Sequence, residues 1–85
     1  MKTVYKYQIT RMGKIKLPVG ASVVYTDKQN GDIFIWCTVD TEAPTEEREF
    51  VVMGTGWELG DEPFQYIGTI MDNGYVWHVL EMKNE

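Results

Sequence analysis

The sequence predicts an all-β fold, a small antiparallel barrel or sandwich of about six to seven short strands built from hairpins. Three observations predict it. No window of 11 or more residues repeats its apolar positions at helical spacing, whereas period-two and short continuous apolar runs recur. Turn signals fall every 8 to 12 residues. Two of them are Asn-Gly pairs, the dipeptide that supplies the two positive-φ residues of a type I′ hairpin turn.

The first strand is read at residues 4–9, with Tyr5, Tyr7 and Ile9 on one face, and Met12-Gly13 as the reversal. A short strand over residues 15–17 ends at Pro18, which has no N–H for a ladder, and Pro18-Val19-Gly20 reads as a turn. Asn30-Gly31 then joins residues 22–29 to 32–40. A two-residue turn sets Lys28 opposite Ile33, Thr26 opposite Ile35, Tyr25 opposite Trp36 and Val24 opposite Cys37. One face of this hairpin carries Val24, Ile33, Ile35, Cys37 and Val39; the other carries Val23, Tyr25, Phe34 and Trp36. The acidic stretch 40–47 reads as a loop in which Pro44 opens a single helical turn. Residues 48–53 form a strand, and the glycine-rich stretch 54–63 is too broken for a regular element. Asn73-Gly74 joins residues 64–72 to 75–81, setting Ile70 opposite Trp77, Thr69 opposite His78, Gly68 opposite Val79 and Ile67 opposite Leu80. Its aliphatic face holds Ile67, Met71, Val76 and Leu80; its aromatic face holds Tyr66, Ile70, Tyr75 and Trp77.

Eighty-five residues make one domain, 1–85, with no room for a second core. A single cysteine, Cys37, forbids an internal disulfide, and neither a signal segment nor a bilayer-length apolar run is present. These features place the expected site of action in the cytoplasm. The net charge is −5 and uneven: residues 1–26 hold five cations and no acid, and residues 27–85 hold 13 acids against three cations. That balance disfavours duplex nucleic acid, where phosphate neutralisation supplies most of the affinity.

Nucleophilic catalysis needs a nucleophile, a base within reach and a group that orients the base. The chain has one Cys, one His and one Ser (Cys37, His78 and Ser22), and the first two sit mid-strand among bulky apolar neighbours, which reads as core packing. No catalytic residue is expected. No metal is expected either, because one His and one Cys cannot build a structural zinc site and the acidic loops lack calcium-loop spacing. No cofactor is called for. Gly54-Thr55-Gly56 lacks the Lys-Ser/Thr of a nucleotide-hydrolysing loop.

The aromatic faces remain. Tyr25, Phe34, Trp36, Tyr66, Tyr75 and Trp77 are residue types enriched at binding hot spots, and self-association into a homo-oligomer is their expected use. A second candidate site gathers Arg11, Lys14, Lys16, Thr55 and Trp57 around a small phosphorylated nucleotide ligand, with cations for phosphate and an indole for the base.

Several stretches occur as a set: Lys16-Leu17-Pro18 with Gly20-Ala21, Gln29-Asn30-Gly31, Glu42 to Phe50, Gly54-Thr55-Gly56, Tyr66 to Thr69, and Val76 to Glu81. Together they resemble a family of small proteins encoded by bacteriophages and prophages, over nearly the whole chain from Lys16 onward. The resemblance carries no activity and no site residues. It implies a setting, that of an accessory factor that binds something in the host, such as an inhibitor of a host defence protein. Sequestration of a nucleotide signal and a virion or structural accessory role are the alternatives.

Overall fold

The computed structural model describes residues 1–83. Seven antiparallel strands run in chain order: β1 (Lys2–Ile9), β2 (Met12–Pro18), β3 (Ser22–Gln29), β4 (Asp32–Asp40), β5 (Thr45–Gly54), β6 (Phe64–Asp72) and β7 (Tyr75–Met82). They form two sheets, a three-stranded one in the order β1-β4-β3 and a four-stranded one in the order β2-β5-β7-β6. The architecture is a sandwich and not a closed barrel. Among the described residues there is no helix, so none is long and apolar enough to cross a membrane.

Both Asn-Gly pairs make the expected hairpin turns. Asn30 and Gly31 have φ of 53° and 86°, and Asn73 and Gly74 have 48° and 89°. Asn tolerates this left-handed region and Gly enters it freely, which is why the turns fall there. The pairings nearest each turn follow: Lys28 with Ile33, Thr26 with Ile35 and Tyr25 with Trp36; Ile70 with Trp77, Thr69 with His78 and Gly68 with Val79.

Further from each turn a β-bulge intervenes, one in β3 between Val23 and Tyr25 and one in β6 between Tyr66 and Gly68. Each inserts one residue and reverses the alternation beyond it. Val23, not Val24, therefore opposes Cys37 and packs on the core, leaving Val24 exposed. Tyr66, not Ile67, opposes Leu80. In the second hairpin Ile70 and Trp77 face inward beside Val79, while Met71 is exposed.

Several boundaries also differ from the sequence reading. The first reversal is at Thr10-Arg11, and Met12 and Gly13 already pair with Val51 and Phe50 in β5. No helical turn opens at Pro44: its carbonyl accepts from the Val19 N–H at 2.8 Å, and β5 starts at Thr45. The β2–β5 ladder runs on to Pro18 opposite Thr45, with Lys16 in register with Glu47, so these residues pair as strand where the sequence suggested a local turn.

The core lies between the sheets, with Ile9, Ile35, Cys37 and Val39 from one and Leu17, Phe50, Val52, Ile70 and Val79 from the other. The edges β3 and β6 approach closely. A Cβ on Gly68 would lie 2.7 Å from Thr26 Cγ2, so only glycine lets the strands close here. Lys28 and Asp72 pair across the same seam at 2.5 Å. At the far end Arg48 donates to both oxygens of buried Glu81, at 2.6 and 2.9 Å, and to the Ala21 carbonyl at 2.6 Å. That fork ties β5, β7 and the β2–β3 turn together.

Candidate functional site

The aromatic residues read from the sequence separate into three places. The first is the outer face of the β1-β4-β3 sheet. Residue alternation puts Tyr25, Phe34 and Trp36 side by side there, with Trp36 5.5 Å from Tyr25 and 6.3 Å from Phe34 between ring centroids. Lys6, opposite Trp36 in the ladder, sets its ammonium 4.7 Å above the Phe34 ring and 6.0 Å from Trp36, and it donates to Gln29 Oε1. Tyr25 donates to Asp27, at 2.9 Å, and remains 57% exposed. The Lys28 backbone N–H and the Tyr25 hydroxyl hold the Asp27 carboxyl below its ordinary value, and that same bond raises the Tyr25 phenol. The patch is therefore apolar at its centre, with a cation on one flank and a carboxylate on the other.

The second place is the end of the sandwich that carries the Asn-Gly turns. Trp57 meets Trp77 edge-on at 5.7 Å, and Tyr75 stacks on Trp77 at 6.1 Å. The Arg11 guanidinium lies 4.8 Å from the Trp57 ring. The backbone explains this convergence. Residues 54–57 close a turn through Trp57 N–H to Gly54 C=O, and Gly56 takes φ of 88°. The indole folds back over Gly54, where a Cβ would lie 2.8 Å from Nε1. Of the five residues in the second candidate set, Arg11, Thr55 and Trp57 are brought to this region. Lys14 and Lys16 stand opposite Glu49 and Glu47 in the β2–β5 ladder.

The third place is the outer face of the four-stranded sheet, beneath the 54–63 loop. There His78 accepts or donates at both ring nitrogens, Nε2 with Thr55 Oγ1 at 2.7 Å and Nδ1 with the Tyr66 hydroxyl at 2.6 Å. The Tyr66 hydroxyl also bonds Thr69. Sequence reasoning placed His78 in the core because its neighbours in the chain are apolar. The signal that would have found it is the Thr69–His78 pairing itself: a polar cross-strand partner marks the wet face of a hairpin. Cys37, by contrast, is fully buried, and burial pushes its thiol up to about 11. It is a packing residue with little thiolate character.

The family match spans residues 1–85. The chain belongs to the family described as Domain of unknown function (DUF7352). No curated protein and no solved structure matches it. A reading of function for this DUF7352 domain therefore rests on the three sites.

Proposed function

We propose that this DUF7352 chain is a non-enzymatic binding protein that works as a homodimer, its copies joined through the outer faces of their β1-β4-β3 sheets, and that it engages a host protein stoichiometrically. The observation that supports this is the Tyr25–Phe34–Trp36 patch with Lys6 and Asp27 on its opposite flanks. A two-fold operation through β4 would lay rings on rings and bring each Lys6 to the partner's carboxylate side, the self-complementarity that an isologous interface requires. The host-protein target and the role against host defence are carried over from the resemblance to small phage and prophage proteins, and an action in the cytoplasm rests on the single cysteine, Cys37. Sedimentation equilibrium at about 10 μM, where roughly 7 kcal/mol of association free energy suffices, tests the dimer. A dimer that Trp36→Glu converts to a folded monomer is expected. A wild-type monomer there overturns self-association and leaves the patch to a heterologous protein.

One observation favours a second reading, sequestration of a phosphorylated nucleotide: the Arg11 guanidinium over Trp57, beside Thr55 and the Trp77–Tyr75 stack. Its affinity would weaken with salt and be lost on Arg11→Glu or Trp57→Ala. Calorimetry with cyclic dinucleotides and ADP-ribose compounds separates it from the first reading.

A further inference from the structure

The cavity between the 54–63 loop and the four-stranded sheet has features that a capped sheet face does not need. Its volume is about 320 Å³, within the range of small-molecule sites. Met53, Trp57, Leu59, Phe64, Tyr66 and Leu80 form its walls. Leu80 is 3% exposed beneath the loop, yet Trp57, Leu59, Phe64 and Tyr66 around it are 40% to 49% exposed. Four large apolar side chains left half-wet around one opening are surface that an occupant would bury.

The polar groups are few and convergent. Thr55 and His78 line the cavity, and the hydrogen-bond chain leads from Thr55 through His78 and Tyr66 to Thr69, which stands outside it. The chain closes in either direction. If Thr55 donates to Nε2, then Nδ1–H donates to Tyr66 and Tyr66 donates to Thr69, leaving the Thr55 lone pairs for a donor. If Tyr66 donates to Nδ1, then Nε2–H donates to Thr55, whose own O–H is left for an acceptor. The Thr55 hydroxyl thus serves a ligand hydroxyl or a ligand carbonyl equally well.

Charge decides the class. Among the described residues, no Lys, Arg, Asp or Glu lines the cavity. An anion or a cation held there would lose water without gaining a counter-ion, which is costly against apolar walls.

We infer that this cavity is a binding site for a small, uncharged, largely apolar molecule bearing one hydroxyl or carbonyl, which the Thr55–His78 pair receives while Trp57, Phe64 and Tyr66 close on its ring or chain. The site lies on the sheet opposite the dimer patch and does not depend on it.

The test uses three probes of one shape, 2-naphthol, naphthalene and 2-naphthoate, titrated against the full chain by Trp fluorescence and by amide chemical-shift mapping. Expected are shifts confined to residues 53–59, Phe64, Tyr66 and His78, with 2-naphthol binding about fivefold tighter than naphthalene, the factor for one net hydrogen bond. Thr55→Val, nearly isosteric and at an exposed position, is expected to erase that difference and leave naphthalene binding unchanged, its thermal unfolding confirming the fold. Preference for 2-naphthoate, equal binding of 2-naphthol and naphthalene, shifts at another surface, or no binding to the solubility limit would each overturn the assignment.

Discussion

Replacing Glu81 with Gln removes one charge from the most enclosed ion pair among the described residues. The Glu81 side chain is 4% exposed and Arg48 16%, and three hydrogen bonds of 2.6 to 2.9 Å anchor the guanidinium. Removing one partner of a buried pair ordinarily costs about 3–5 kcal/mol, because the other charge is left buried and uncompensated. Here the pair lines an open, polar cavity between Gly20 and Lys83, so water reaches Arg48, and Gln keeps one acceptor oxygen. The expected loss is therefore nearer 2–3 kcal/mol, a large part of the roughly 4–13 kcal/mol that 85 residues command. The sign with pH is fixed by the carboxyl. Burial raises its pKa, but the Arg48 hydrogen bonds and charge, with Lys83 beyond, outweigh that and hold it below its ordinary 4.5. Its stabilisation is thus complete above that value and fades as pH falls through the depressed one. Urea denaturation followed by Trp fluorescence, run from pH 7 to pH 3, measures both effects. Glu81→Gln should lower the midpoint at pH 7 and flatten the acid decline, with Asp27 and Asp40, both depressed by backbone N–H bonds, accounting for part of what remains. Arg48→Met with Glu81→Leu should recover most of the loss, since no charge is then stranded. A single-variant cost under about 0.5 kcal/mol, or a double variant costing the sum of two singles, would refute the reasoning.

Other perturbations give equally definite outcomes. Gly68→Ala forces Cβ against Thr26 Cγ2 and should cost about 1–3 kcal/mol in the same urea assay. Adding Thr26→Ser, which deletes that methyl but keeps the Oγ1 bond to the Phe34 carbonyl, should restore most of it; no rescue would mean the seam does not close there. Gly31→Val, at φ of 86°, should cost about 1 kcal/mol or more, measured by thermal unfolding. Cys37 should react with an aromatic disulfide reagent only as fast as the whole domain opens, because its thiol is buried and raised to about 11; fast reaction in native buffer would contradict that burial.

Local chemistry in the sequence determined the fold class, the strands and both hairpin turns. Asn30-Gly31 and Asn73-Gly74 supply positive φ wherever they occur, and registers counted outward from them held for three pairs in each hairpin. The bulges at Val24 and Ile67 were not legible, because an unpaired residue in a run of apolar ones leaves no mark in the sequence yet flips every side chain past it. Only the tertiary structure decided that the inner face of the second hairpin is the one with Ile70 and Trp77, since which face is buried depends on the opposing sheet. It decided equally that β1 pairs with β4 and β2 with β5, partners separated by more than twenty residues. The sites follow the same division. Tyr25, Phe34 and Trp36 share a face by alternation alone, so that patch could be read directly. Thr55, Tyr66 and His78 come from a loop and two strands, and the 54–63 loop had to fold back over the sheet before they could meet.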